Sequence, residues 1–125
     1  ARGVAISADL LNGHNIQQGD VVIAFTGFYK EFGQPDYYEE YPEIGEDFAE
    51  KMVDLGVKFV GMDTPSPDRA PYKIHKILLS KDILILENLT NLEELLEFKD
   101  FEIIALPAKF EADAAPVRVV ARVND

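Results

Sequence analysis

In Ile44–Met62, IGEDFAEKMVDLGVKFVGM, one periodicity gives way to another. Ile44, Phe48, Met52 and Leu55 recur at helical spacing, so Ile44–Leu55 is expected to form a helix with a single apolar face. Gly56 follows as its expected stop. Val57–Met62 then reads as an apolar strand. A helix feeding directly into a buried strand is half of a βαβ unit, and the chain on either side supplies the rest.

Upstream, Asp20–Phe28, DVVIAFTGF, is a continuous β-branched and aromatic run opened by Gln18-Gly19 and closed by Gly27. It is expected to be a strand buried on both faces. Residues 30–43 carry Gly33, Pro35, Pro42 and four aromatics among acids, and read as a loop or lid. Downstream, Asp63–Pro71, DTPSPDRAP, is a turn held extended by its prolines. Pro71 is well placed as the first residue of a short helix reaching about Ser80. Ile83–Leu86 is a third strand, Leu89–Leu95 a brief helical turn, Phe101–Leu106 a fourth strand, and Val117–Val123 a final one at an edge. The alternation predicts an α/β arrangement with a mixed, partly parallel sheet and short helices, in a single domain over residues 1–125.

Composition narrows the function. Of 125 residues, 47% are hydrophobic, enough for a packed core. A net charge of −11 repels phosphate backbones and excludes a nucleic-acid partner. The chain has no cysteine, which removes disulfides, thiolate metal sites and cysteine nucleophiles and fits a cytoplasmic setting. No apolar run is long enough to span a membrane. P-loop, GxGxxG, GxSxG and HExxH patterns are all absent.

In parallel sheets, ligands gather where the carboxyl ends of strands open. Thr26-Gly27, Asp63 and Glu87 each follow a predicted strand, so the three positions are expected along one rim, with His75 within reach. Glu87 comes straight after Ile83-Leu84-Ile85-Leu86, where a carboxylate is costly unless paired or bound to a cation. Imidazole nitrogen and carboxylate oxygen both suit Zn²⁺ or Mn²⁺. The alternative is a helix-surface histidine beside a glutamate that caps the next turn. In DTPSPD, Asp63 can orient a ligand or hold a histidine in place, or can simply accept backbone N–H bonds. His14, among turn formers, reads as a solvated loop residue. Tyr29, Tyr37, Tyr38 and Tyr41 either line a pocket for an aromatic ligand or pack a long loop. Glu93, Glu94, Glu97, Asp100 and Glu102 read as a solvated face.

Taken in order, several blocks are more specific than any one motif. Arg2-Gly3-Val4 leads into a strand-like start, and Gly19-Asp20-Val21-Val22 runs into Phe25-Thr26-Gly27. Gly56–Ser66 follows, then His75 ahead of Leu78-Leu79, then Leu86-Glu87-Asn88-Leu89-Thr90-Asn91-Leu92. Ala105-Leu106-Pro107 and Ala115-Pro116-Val117-Arg118 close the series. This order resembles the cyclase family that includes bacterial kynurenine formamidase and isatin hydrolase.

The resemblance implies a swivelling β/β/α fold and a divalent-metal hydrolase acting on amide bonds, with a small aromatic or N-acyl ligand. It implies that His75 and Glu87, at the family's His-to-Glu spacing, are metal ligands for zinc or manganese. Asp63, Ser66 and Thr26 are implied in supporting positions or the substrate pocket. The family's first metal motif, His-x-Gly-Thr-His-x-Asp, has no counterpart here. The matching blocks begin at Arg2, so the resemblance implies the C-terminal portion of such a protein, with the N-terminal part absent. Two expectations result: weak metal binding and little hydrolysis by this chain alone, and a homo-oligomer formed through exposed sheet edges. The alternative is a non-catalytic small-molecule binding or oligomerisation module derived from the family.

Overall fold

The helix expected from Ile44–Leu55 forms over Glu46–Leu55 (α1) in the computed structural model of the chain, which describes residues 4–124. Its period places Phe48, Ala49 and Met52 on the buried side. Gly56 ends it in the left-handed region at φ 65°, donating its N–H to the carbonyls of Met52 and Val53. The next strand, Phe59–Met62, is buried at every position because it lies between two neighbours in a three-stranded sheet.

Those neighbours are Val21–Ala24 (β1) and Leu84–Leu86 (β3), and Phe59–Met62 is β2. Both pairings are parallel, with Val21 opposite Phe59 and Val60 opposite Ile85. Parallel neighbours need crossovers, and each crossover carries a helix: α1 before β2, and Lys73–Leu79 (α2) before β3. The core gathers Phe48, Met52, Val60, Met62, Ile74 and Leu78 from α1, β2 and α2. The parallel α/β architecture with short helices is the one expected from the sequence.

Two local expectations change. β1 covers only four residues of the Asp20–Phe28 run and is half-buried, because it is an edge strand and the chain leaves the sheet after Ala24. Pro71 does not open α2. It follows a cis peptide bond, Tyr72 adopts φ 60°, and the helix begins at Lys73. Residues 30–43 form a loop, one of the two forms expected, and it is packed. After a 3-10 turn at Phe28–Glu31, the loop buries Tyr37 and Tyr41 with Phe28 in a second apolar cluster.

The chain falls into two compact units, with the boundary after Thr90. The second contains a 3-10 turn, Leu92–Leu95, and an antiparallel ribbon of Phe101–Pro107 (β4) and Val117–Val123 (β5). Glu102 sits opposite Arg122 and forms an ion pair with it. Of the strand-like start at Arg2–Val4, Arg2 and Gly3 lie outside the described residues. Ile6 makes an isolated parallel bridge to Ile44. No helix among the described residues is long and apolar enough to cross a membrane.

Candidate metal centre

Because β1, β2 and β3 run parallel, the residues that follow them share one end of the sheet. Thr26-Gly27, Asp63 and Glu87 occupy that end as the sequence predicts. They do not act as one group.

Asp63 is fully buried and turned toward β1. One carboxylate oxygen accepts the Thr26 N–H at 2.9 Å and the Thr26 hydroxyl at 2.8 Å. The other accepts the Gly27 N–H at 2.7 Å. The Thr26 hydroxyl in turn accepts the Phe28 N–H at 3.1 Å. Three donors compensate the buried charge, and the result is a clamp that turns the chain out of β1. Between the two readings of Asp63, the structure places it as an acceptor of backbone N–H groups.

The carboxylate that meets the histidine is Asp68, five positions further along DTPSPD. Asp68 accepts the Ile74 N–H at 2.6 Å with Oδ2, satisfying a donor in the first turn of α2. Its Oδ1 lies 2.5 Å from Nδ1 of His75. The turn that presents Asp68 is itself fixed. The Ser66 and Tyr41 hydroxyls donate to the Asp68 carbonyl at 2.8 and 3.1 Å. Arg69 binds Glu43 through its backbone N–H and its guanidinium, and lies 4.0 Å over the Tyr41 ring.

In a neutral imidazole, an Nδ1–H given to the Asp68 carboxylate leaves the lone pair on the other ring nitrogen. That nitrogen, Nε2, faces Oε1 of Glu87 at 3.5 Å. The separation exceeds the hydrogen-bond range of about 2.7–3.2 Å. Two ligands about 2.1 Å from one tetrahedral ion stand about 3.3–3.5 Å apart. A lone pair and a carboxylate repel unless a proton or a cation lies between them. The spacing of His75 and Glu87 therefore fits two ligands of a divalent ion, and Asp68 stands where a carboxylate would orient a ligating histidine. Burial pushes the Glu87 carboxyl above the ordinary carboxylate range; His75 and Ser66 oppose that rise and the Asp68 charge adds to it. Among the described residues, no three His, Asp or Glu side chains are placed to hold one ion between them. His14 is exposed and bonds its N–H to the Leu11 carbonyl in a turn.

A cavity of about 320 Å³ opens between Tyr29, Phe32 and Tyr37 on one side and Asn88, Leu89 and Thr90, the residues that follow Glu87 in the chain, on the other. Of the tyrosines singled out by the sequence, Tyr29 and Tyr37 line this space, Tyr41 packs and Tyr38 is largely exposed. Tyr37 also does what no periodicity announces: its hydroxyl donates to Oδ1 of Asn88 at 2.7 Å. Asp68 was the missed member of the site. Its signal was an unpaired acid shortly before an expected helix start, which is where a carboxylate caps.

Known proteins resemble this chain in sequence and in fold. The family model described as "Putative cyclase" matches residues 4–69. The chain is 36% identical over 121 residues to an uncharacterized protein of Methanocaldococcus jannaschii, a match covering 96% of this chain and 63% of that protein. It is 48% identical over 78 residues to the kynurenine formamidase of Delftia acidovorans, covering 59% of this chain and 36% of that enzyme. A solved "predicted metal-dependent hydrolase" from Bacillus stearothermophilus superposes with a TM-score of 0.75 at 30% identity, over 94% of this chain and 56% of that one. A "potential metal-dependent hydrolase with cyclase activity" gives 0.74 at 29% identity, over 92% and 56%. The chain thus spans between about a third and two thirds of the length of these proteins.

Proposed function

The chain belongs to the cyclase family, and from that premise we propose that His75 and Glu87 are two protein ligands of a divalent ion, zinc or manganese, in a hydrolase acting on amide C–N bonds. One observation carries the reading: Nε2 of His75, left with its lone pair by Asp68, faces a Glu87 oxygen at the separation of two ligands on one ion. When bound, such an ion supplies Lewis acidity toward a carbonyl oxygen and a water of lowered pKa. Asp68 holds the imidazole in the ligating tautomer. Glu87 brings the negative charge, and the aromatic cavity lined by the next residue, Asn88, suits a small aromatic or N-acyl substrate.

A catalytic zinc ordinarily has three protein ligands and an open position. The described residues bring two together, so this reading takes its third ligand from outside them and gives the isolated chain weak metal binding and little hydrolysis. The same two-ligand count favours a second reading, a non-catalytic binding or self-associating module of the family. The absence of cysteine supports a cytoplasmic setting for either.

Titration of zinc and of manganese into the purified chain, with elemental analysis and a formamide hydrolysis assay, separates the two. The first reading expects one weakly held ion per chain that is lost in Glu87→Ala. Binding unaffected by that substitution overturns the ligand assignment. A tightly held ion with efficient hydrolysis by the chain alone overturns the incompleteness.

A further inference from the structure

The Glu87 carboxylate is the less secured half of the pair. His75 is held by Asp68, whereas the Glu87 side chain is 36% exposed and stands at the very end of β3. The residue after it, Asn88, has an unusual backbone. Asn88 adopts φ 57°, a left-handed conformation that asparagine tolerates better than other non-glycine residues but does not favour by itself. Two bonds keep it there. Its N–H donates to the Thr64 carbonyl at 2.9 Å, and its side-chain oxygen receives the Tyr37 hydroxyl at 2.7 Å.

Tyr37 is itself immobilised. Its ring is 2% exposed, stacked on Phe28 at 5.2 Å and met edge-on by Phe32 and Tyr38. Phe28 follows Gly27, which Asp63 grips. A hydroxyl buried in an aromatic cluster needs its partner, and burial also raises its pKa and keeps it a donor. The same ring walls the cavity that Asn88 lines.

We propose that Tyr37 is a positioning residue for Glu87: its hydroxyl holds Asn88 in the left-handed turn that directs the Glu87 carboxylate at His75. The chain of contacts runs from Asp63 through Gly27, Phe28 and Tyr37 to Asn88, so the residue that shapes the cavity wall also sets the ligand that precedes Asn88. The proposal rests on the ligand reading of Glu87 for its consequence, and on the Tyr37–Asn88 bond for its geometry.

Tyr37→Phe keeps the stacked ring and removes the hydroxyl, so the fold is retained while the bond is lost. Zinc titration is expected to show affinity about five-fold weaker in Tyr37→Phe, the effect of one ordinary hydrogen bond. Denaturant unfolding of Tyr37→Phe is expected to remain one cooperative transition, which separates the weaker affinity from a general loss of structure. Backbone NMR on the metal-free chain gives the second readout. Amide exchange at Asn88 is expected to quicken in Tyr37→Phe, while exchange at Leu89, bonded to the Met62 carbonyl at 2.9 Å, stays as it was. If the wild-type chain takes up no zinc, the ligand reading fails, and the exchange measurement still judges the positioning of Asn88. Unchanged exchange at Asn88, or equal zinc affinity in a wild-type chain that does bind, overturns the proposal.

Discussion

Asp68 gives one oxygen to the first turn of α2 and the other to His75, and an amide cannot do both. In Asp68→Asn a single side-chain oxygen remains. If it keeps the Ile74 N–H, the amide NH₂ faces Nδ1 of His75 and drives the proton to Nε2. The nitrogen that faces Glu87 then becomes a donor, and a proton occupies the place a cation would take. Zinc affinity in Asp68→Asn is expected to fall about 10–100-fold, and denaturant unfolding to show a loss of about 1–3 kcal/mol for the acceptor removed. Zinc binding equal to wild type would refute the orienting role. The pairing of His75 with Glu87 was legible from sequence because both side chains are chemically distinctive and their spacing matches a family pattern. Asp68 was not. DTPSPD offers two aspartates, and which one reaches the imidazole depends on the path of the turn through Arg69–Tyr72, a three-dimensional matter with no periodic trace.

At the scale of elements, the period-bearing segments were the readable ones. α1 shows its helical stripe and its glycine stop, and β2 shows an uninterrupted apolar run, since both of its faces and both of its edges are covered. The same kind of run misled at β1. Asp20–Phe28 is apolar enough for a long central strand, yet pairing ends at Ala24 because the Asp63 clamp captures Thr26 and Gly27. β2 also contains Gly61, which a reading by propensity treats as a weakness in a strand. Here it is a requirement of packing. A Cβ at Gly61 would lie 2.8 Å from Cδ1 of Leu89 and 3.3 Å from Cγ1 of Ile23. Leu89 is buried and is anchored by its own backbone bond to Met62, so it has little room to yield. Gly61→Ala is expected to cost about 1–3 kcal/mol by overpacking, measured by denaturant unfolding. Because the displaced residue lies two positions from Glu87, zinc binding should weaken in the same variant. A stability within error of wild type would mean that Leu89 shifts freely.

At the scale of the whole molecule, the chain carries surfaces that a stable protein normally covers. Among the described residues, β1 and β3 each leave one edge of the parallel sheet unpaired. The β4–β5 ribbon has a face made of Phe101, Ile103, Ala105, Val117, Val119 and Ala121, none of them buried. A two-stranded ribbon without a covered face is marginal in water, and open edges and apolar faces drive association. Against this stands the net charge of −11, which makes like copies repel. The repulsion is long-range and is screened by salt, with a Debye length of about 8 Å at 0.15 M and about 3 Å at 1 M. The apolar attraction is short-range and survives screening. The balance therefore predicts self-association that strengthens as salt rises, the reverse of what an ion-paired interface would show. Light scattering across a series of salt concentrations is expected to move from smaller toward larger species. Val119→Glu, which places a charge in the middle of the apolar face, is expected to abolish the ribbon's share of that shift. A chain that stays monomeric at high concentration and high salt would mean that neither the ribbon nor the sheet edges attract a second copy.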